Sequence, residues 1–278
     1  MILHLTDTHF GTERPEVMRA LIDLAALKKP SLIVLSGDIT QRARRSQFAA
    51  ARAFVQRLCE VAGADAARDV LTIPGNHDVP LLNPLARLLA PYGEYQRAFG
   101  SDLEPACQRP GLWVIGVNTT RFYRHADGEV SHAQADRVAA RLLAAPAGAL
   151  RVVVTHQPLH VIEAGDVKDL AHGHAQALAL WSAAGADLLL AGHIHQAFTA
   201  PVRAAVPLLA HDTWVVQTGT AVSSRTRERV PNSVHLIDVK SPADTLRAVV
   251  ERWDYADAGL AAGQFQRVRL TPIPRPAG

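Results

Sequence analysis

The stretch Val70-Leu71-Thr72-Ile73-Pro74-Gly75-Asn76-His77-Asp78 changes character at Pro74. Apolar and β-branched residues suited to a buried strand run into a turn that presents an amide, an imidazole and a carboxylate side by side. The same pattern repeats on either side of it. Met1–Leu5 leads into Asp7-Thr8-His9, Leu32–Leu35 into Gly37-Asp38, Val152–Val154 into His156, and Leu188–Leu190 into Gly192-His193-Ile194-His195. Five such fragments at successive strand ends imply one shared site, because ligands of open α/β sheets gather beyond the carboxyl ends of the strands. The fragments hold carboxylates, an amide and imidazoles but no cysteine. That donor set suits two borderline divalent ions such as Mn, Fe or Zn, not a thiolate-held structural zinc.

Between these strands the spacing predicts helices. Pro15–Leu27 opens with a proline that a first helical turn tolerates, and Arg44–Cys59 carries Phe48, Ala51, Phe54, Val55 and Leu58 on one stripe. Leu112–Val117 reads as a further strand. Ser131 followed by Gln134 reads as a capping box that opens a helix running to Ala144, and Ala175–Ala183 reads as another helix. Val79–Gly100, broken by Pro80, Pro84 and Pro91, reads as short helical turns. Trp214–Gln217, Ser233–Val239 and Leu246–Trp253 make the last third, 200–270, mostly β, and the tail Pro272–Gly278 reads as extended or frayed. With no repeat, linker or composition break, one domain spanning 1–278 is expected, its motifs within 3–195.

The 278 residues are 48% hydrophobic and 20% charged, which is ordinary for a protein with an ample core. Lys and Arg outnumber acids 29 to 26, enough to favour a small anionic substrate; aromatic content of 5% gives no stacking track, so no nucleic-acid polymer is expected. Cys59 and Cys107 have no metal or redox spacing and read as reduced, buried thiols. The first strand begins at Met1, leaving no room for an export signal, and no apolar run reaches the ~20 residues of a membrane span, so a cytoplasmic location is expected. A peripheral membrane contact stays open only for a lipid substrate. The oligomeric state stays open too, a dimer included.

Taken in order, D-x-H, G-D, G-N-H-D, a lone His and G-H-x-H resemble the calcineurin-like metallophosphoesterase superfamily over Leu3 to His195. Met1–Gly11, Ser36-Gly37-Asp38-Ile39 and Pro74–Asp78 resemble its class III cyclic-nucleotide phosphodiesterase and glycerophosphodiesterase branch. The resemblance implies an α/β fold, a four-layer α-β-β-α sandwich of two mixed sheets flanked by helices, with the metal site at the strand C-terminal ends. It implies that Asp7, His9 and His195 hold one metal, that Asn76, His156 and His193 hold the other, and that Asp38 bridges them. It further implies that His77 protonates the leaving oxygen with Asp78 holding its ring. The activity so implied is hydrolysis of a cyclic nucleotide or small glycerol-type diester, by attack of a hydroxide held between the metals. Alternatives are pyrophosphohydrolysis of a lipid-linked nucleotide such as UDP-diacylglucosamine, nuclease action, and a non-catalytic scaffold. Gln41 stands where purple acid phosphatases carry an iron-binding tyrosine. Asp38-Ile39-Thr40-Gln41-Arg42 and Asp78 depart from the protein Ser/Thr phosphatases, and Gln157 replaces a second histidine common in relatives.

Other residues have competing readings. Arg42, Arg44 and Arg45 form a solvated face or an anion-attracting rim, and Arg121 with Arg124 is a similar pair. Asn118 contacts a phosphoryl group or caps its own loop. His160 could line the pocket, His172 and His174 read as solvated loop residues, and His4 as a hydrogen-bonded core residue out of register with the site. Arg225, Arg227 and Arg229 form a third, less anchored basic set. Leu81–Leu89 reads as a helix packed on the core; were it an exposed lid, a lipid-linked substrate would gain favour.

Overall fold

Each face of the first strand has its own partner. In β1 (Ile2–Leu5), Leu3 and Leu5 pack with α1 (Pro15–Lys28) and α2 (Arg45–Ala62), whereas Ile2 joins an apolar cluster drawn from a second sheet. β2 (Leu32–Ser36) does the same, with Ile33 and Leu35 toward the helices and Leu32 and Val34 toward the other sheet. This period-two alternation with both faces buried produces four layers.

The computed structural model describes every residue except 82, 205, 207, 208, 210, 229, 242, 258, 260–262 and 276–278. The first sheet also holds β3 (Val70–Ile73), β10 (Ser233–Val239), β11 (Leu246–Ala256) and β12 (Gln264–Pro274), in the order β12-β11-β10-β1-β2-β3. The second holds β4 (Ala106–Arg109), β5 (Leu112–Gly116), β6 (Leu150–Val154), β7 (Leu188–Ala191), β8 (Phe198–Pro201) and β9 (Trp214–Gln217), in the order β4-β5-β6-β7-β9-β8. Both are mixed. β1-β2-β3 and β5-β6-β7-β9 run parallel, and the remaining pairs are antiparallel. Two further helices, α5 (His132–Leu143) and α6 (His174–Ala183), cover the second sheet through Val138, Leu142, Leu178 and Trp181. The α-β-β-α sandwich is the architecture expected. The parallel strands of both sheets end on the same edge, where the donor residues sit.

Local chemistry sets the helix ends. Ser131 Oγ accepts the Gln134 amide at 3.3 Å, and Gly63 closes α2 with φ 74°, a left-handed conformation without strain for glycine. The proline-broken region folds as α3 (Pro84–Leu89) and α4 (Gly93–Phe99).

Two expectations are corrected, for the leucine stretch and Cys107, and the extended tail is borne out as far as Pro274. α3 buries none of its residues: Leu85, Leu88 and Leu89 are 67%, 64% and 72% exposed, so the leucine stretch is a surface ridge and not core; Leu82 lies outside the described residues. Pro272–Pro274 close β12 against β11, and residues 276–278 lie outside the described residues. Cys59 is buried, but Cys107 on the edge strand β4 is only half-buried. Both thiols are free.

Candidate metal centre

Tight backbone turns carry the donors off the strand ends. Asp7, His9, Asp38, His193 and His195 have φ of 51°, 41°, 48°, 74° and 54°, the left-handed region that non-glycine residues seldom occupy. The loops lie so close together that a Cβ on Gly75 would strike the backbone and carboxylate of Asp38. Only glycine fits there.

The side chains converge as two sets meeting at one carboxylate. Asp7, His9 and His195 form one group and Asp38, His156 and His193 the other, with His9, Asp38 and His77 forming a third, overlapping group between them. His9 Nε2 lies 3.2 Å from His195 Nε2, 3.6 Å from Asp7 Oδ1 and 3.7 Å from Asp38 Oδ2. His156 Nε2 lies 3.2 Å from both Asn76 Oδ1 and Asp38 Oδ1. Donor atoms about 2.1 Å from a common ion stand about 3.0–3.4 Å apart, so the three spacings of 3.2 Å fit shared cations and the two longer ones from His9 lie just outside that range. One buried atom supports the fit: Asp7 Oδ1 has no hydrogen-bond partner. A desolvated carboxylate oxygen with no donor is costly unless a cation faces it.

Neighbouring groups aim the donors. Thr6 Oγ1 donates to Asp7 Oδ2 at 2.8 Å and the His193 amide does so at 2.9 Å, which turns Oδ1 inward. His156 Nδ1 donates to the Ser36 carbonyl at 2.8 Å, fixing the tautomer that presents Nε2. Burial opposes charge on His156, but the Asp38 carboxylate and, behind it, Asp7 lift it to about 9. Burial also works against Asp7 and Asp38, yet His195 and His156 hold the two carboxyls far below the usual range. Burial, with His156 nearby, pushes His193 down to about 4. Divalent cations would supply the positive charge that Asp7 and Asp38 call for.

His77 stands at the rim of this cluster. Its ring is edge-on to His9 with centroids 4.9 Å apart, and its Nε2 lies 4.0 Å from Asp38 Oδ2. Asp78 does not hold that ring, contrary to expectation. Its carboxylate accepts the amides of Gly75, Ile39 and Thr40 at 2.9, 3.0 and 2.8 Å, stitching the turns after β2 and β3 together. The Gln41 carbonyl, 2.9 Å from His77 Nδ1, orients the ring instead. A backbone acceptor of this kind leaves no mark in a motif.

The expected substrate contacts divide. Arg42 lines a cavity of about 210 Å³ together with Gln41, Asn76, His77, Val79, Leu81 and His125. Asn118 is turned to its own loop, its Oδ1 accepting the Thr120 amide at 3.0 Å and hydroxyl at 2.7 Å. Arg121 is consumed structurally, donating to the Asn118 and Thr120 carbonyls and to Gln134 Oε1 at 2.9, 2.8 and 2.7 Å. His160 is partly buried and makes no hydrogen bond to the cluster among the described residues. His172 is exposed, as expected of a loop residue, but His174 is half-buried and opens α6, its Nδ1 2.9 Å from the Ala171 carbonyl. His4 is buried between Ser36 and Thr218, 2.8 Å from each hydroxyl, as its register predicts. Two cavity-edge residues escaped the sequence reading. His125 sits in no motif, and Arg225, seen only as part of a basic set, reaches His77. Arg229 lies outside the described residues.

A profile of the calcineurin-like phosphoesterase family matches residues 1–197, and the chain belongs to that family. No curated protein sequence matches it. Among solved structures it is similar to a dimetal phosphatase from Danio rerio, at 13% identity and TM-score 0.61, with 98% of each chain covered. It is similar to a purple acid phosphatase from yellow lupin (Lupinus luteus) seeds, at 11% identity and TM-score 0.66, over 95% of this chain and 53% of that one. It is also similar to Vacuolar Protein Sorting 29 from Cryptosporidium parvum, at 14% identity and TM-score 0.51, over 99% and 97%. At such identities the likeness concerns the fold. The donor residues argue the chemistry. No helix among the described residues is long and apolar enough to cross a membrane.

Proposed function

We propose that the protein hydrolyses a phosphodiester at a centre of two divalent ions, drawn from Mn, Fe and Zn. The observation that carries this reading is the meeting of two donor sets on Asp38, with His77 at the cavity side of the same carboxylate. Asp7, His9 and His195 would hold one ion, Asn76, His156 and His193 the other, and Asp38 both. Such a pair activates water near neutral pH and neutralises charge on the entering and departing oxygens. His77, aimed by the Gln41 carbonyl, would pass a proton from Nε2 to the leaving alkoxide. The cavity offers unlike walls, Val79 and Leu81 against Arg42 and His125, which suits a phosphate bearing two different arms.

One observation favours a more specific reading, a diester or pyrophosphate with an apolar arm such as a lipid-linked nucleotide. About 210 Å³ holds a phosphoryl group and a small substituent, and Leu81 on its wall leads along the chain to the exposed ridge of α3, where a longer arm would lie. The test loads the protein with each metal and compares bis-nitrophenyl phosphate, nitrophenyl phosphate, cyclic AMP, a 2′,3′-cyclic nucleotide, glycerophosphodiesters and a UDP-lipid. Faster turnover of the monoester than of every diester would overturn the diester assignment. A metal-replete protein that hydrolyses none of them would point to a non-catalytic role.

A further inference from the structure

The last third of the chain, beyond the segment matched by the family profile, sends one cation to the centre. Arg225 follows β9 in a well-tied loop. The Thr220 hydroxyl donates to its carbonyl at 2.8 Å, its amide donates to Ser223 Oγ at 3.1 Å, and the Ser224 amide donates to the Thr12 carbonyl at 2.9 Å. From there its Nη1 lies 3.0 Å from Gln41 Oε1 and 3.3 Å from His77 Nε2. With His77 Nδ1 donating to the Gln41 carbonyl, Nε2 accepts the arginine N–H in this substrate-free arrangement, and a phosphoryl oxygen that took the guanidinium would leave Nε2 free to carry the proton for the leaving group. Among the described residues no carboxylate lies within ion-pair distance of Arg225. Its neighbour Arg227 is, in contrast, neutralised by Asp166 at 2.9 Å and Glu163 at 3.1 Å.

An amide and an imidazole orient the Arg225 guanidinium without cancelling its charge. A fixed, half-buried, unneutralised cation beside a site built for two more cations is repulsive unless an anion joins it. We propose that Arg225 binds a non-bridging phosphoryl oxygen of the substrate and holds that group against His77. The guanidinium fork suits phosphate oxygens, and the loop positions it before substrate arrives. The proposal rests on the phosphoester reading of the site, but phosphate binding tests it separately from turnover.

The experiment titrates inorganic phosphate into the Mn²⁺-loaded protein by calorimetry, with metal content and melting temperature checked for each variant. Arg225→Gln should weaken phosphate at least tenfold, Arg225→Lys should weaken it less, and Arg227→Gln should leave it within twofold. KM for bis-nitrophenyl phosphate should rise in the same order. Equal affinities in Arg225→Gln and wild type, an equal loss in Arg227→Gln, or no phosphate binding by the wild type would each overturn the proposal. Arg225-dependent phosphate binding without turnover of any ester would uphold it and sink the hydrolase reading.

Discussion

The ridge of α3 makes a quantitative demand on the substrate. Leu85, Leu88 and Leu89 are two-thirds exposed on one face of a six-residue helix, and Arg87 ties that helix to the next loop, donating to the Phe122 carbonyl at 2.6 Å. Fully burying a leucine is worth about 1.5–3 kcal/mol, so covering the exposed part of each would return roughly 1–2 kcal/mol. A hydrocarbon arm laid on the ridge gains at most about 0.8 kcal/mol per methylene, or up to about fourfold in kcat/KM. The assay is a series of alkyl nitrophenyl phosphodiesters from methyl to decyl. Phosphorus and leaving group stay constant, so the slope of log kcat/KM against chain length reports burial of the arm alone. Wild-type protein should rise about three- to fourfold per methylene once the arm passes Leu81, and the Leu85→Ser, Leu88→Ser, Leu89→Ser variant should fall below about twofold. A flat wild-type series, or the same slope in the variant, would refute the idea that the ridge receives an apolar arm.

Three further outcomes follow from the geometry. His77→Gln should retain metal and lose about 10²–10⁴-fold on esters with poor alkoxide leaving groups but far less on nitrophenyl esters; equal losses on both would remove its proton-donor role. Asp38→Asn should abolish binding of both ions, because Asp38 faces His9 at 3.7 Å and His156 at 3.2 Å, and with it the roughly 2.7 kcal/mol of stabilisation that each ion at a hundredfold its Kd confers; two ions per chain by elemental analysis would contradict the shared-carboxylate geometry. Away from the site, hydrogen bonding from Arg68 and, against a burial penalty, from the Asp65 amide and Arg109 holds Asp69 down at about 2, below its usual 3.8. A depressed carboxyl stabilises the fold above its unfolded value and loses that stability as pH falls through about 2. Asp69→Asn should therefore cost about 1–2 kcal/mol in urea melts at pH 7, less than the full shift implies because Arg68 is exposed, with the difference fading below pH 3.

The sandwich and its donors were legible because one signal encodes both: an apolar strand that stops and a ligand that follows. β4 and β8, edge strands missed in the sequence, lack that signal. Ala106–Arg109 alternates exposed and half-buried residues, and Phe198–Pro201 buries only its phenylalanine. The leucine ridge misled because buried leucine is the usual case, and sequence cannot show that nothing packs on it. Asn118 and Arg121 stand near the right strand end, but Thr120 and Gln134 compete for their polar atoms. Arg225 was illegible for the opposite reason. It lies 148 positions from His77, and the ties of its loop to Thr6, Thr12 and Arg14 bring the two together.

The backbone shows why the donor fragments are so short. In a strand, residues i and i+2 share a face with their Cα atoms about 6.6–6.8 Å apart, and a tight turn brings them closer. Asp7 and His9, and likewise His193 and His195, both turn left-handed, and the reversal folds each pair inward. Each such residue costs about 1–2 kcal/mol in backbone strain. The turns persist because Asp7 N donates to the Gly37 carbonyl at 3.1 Å and His9 N to the Asp38 carbonyl at 3.0 Å, locking the first donor loop to the second. Those two loops are extensions of paired parallel strands whose side chains are wholly buried. The sheet core thus offsets strain concentrated in five donor residues. Between those donors Thr8 has an ordinary backbone and gives its hydroxyl to the Ile39 carbonyl at 2.9 Å. Among the described residues only Lys29 and Ala43 share this left-handed backbone without being donors, so most of the strain falls on residues that aim ligands.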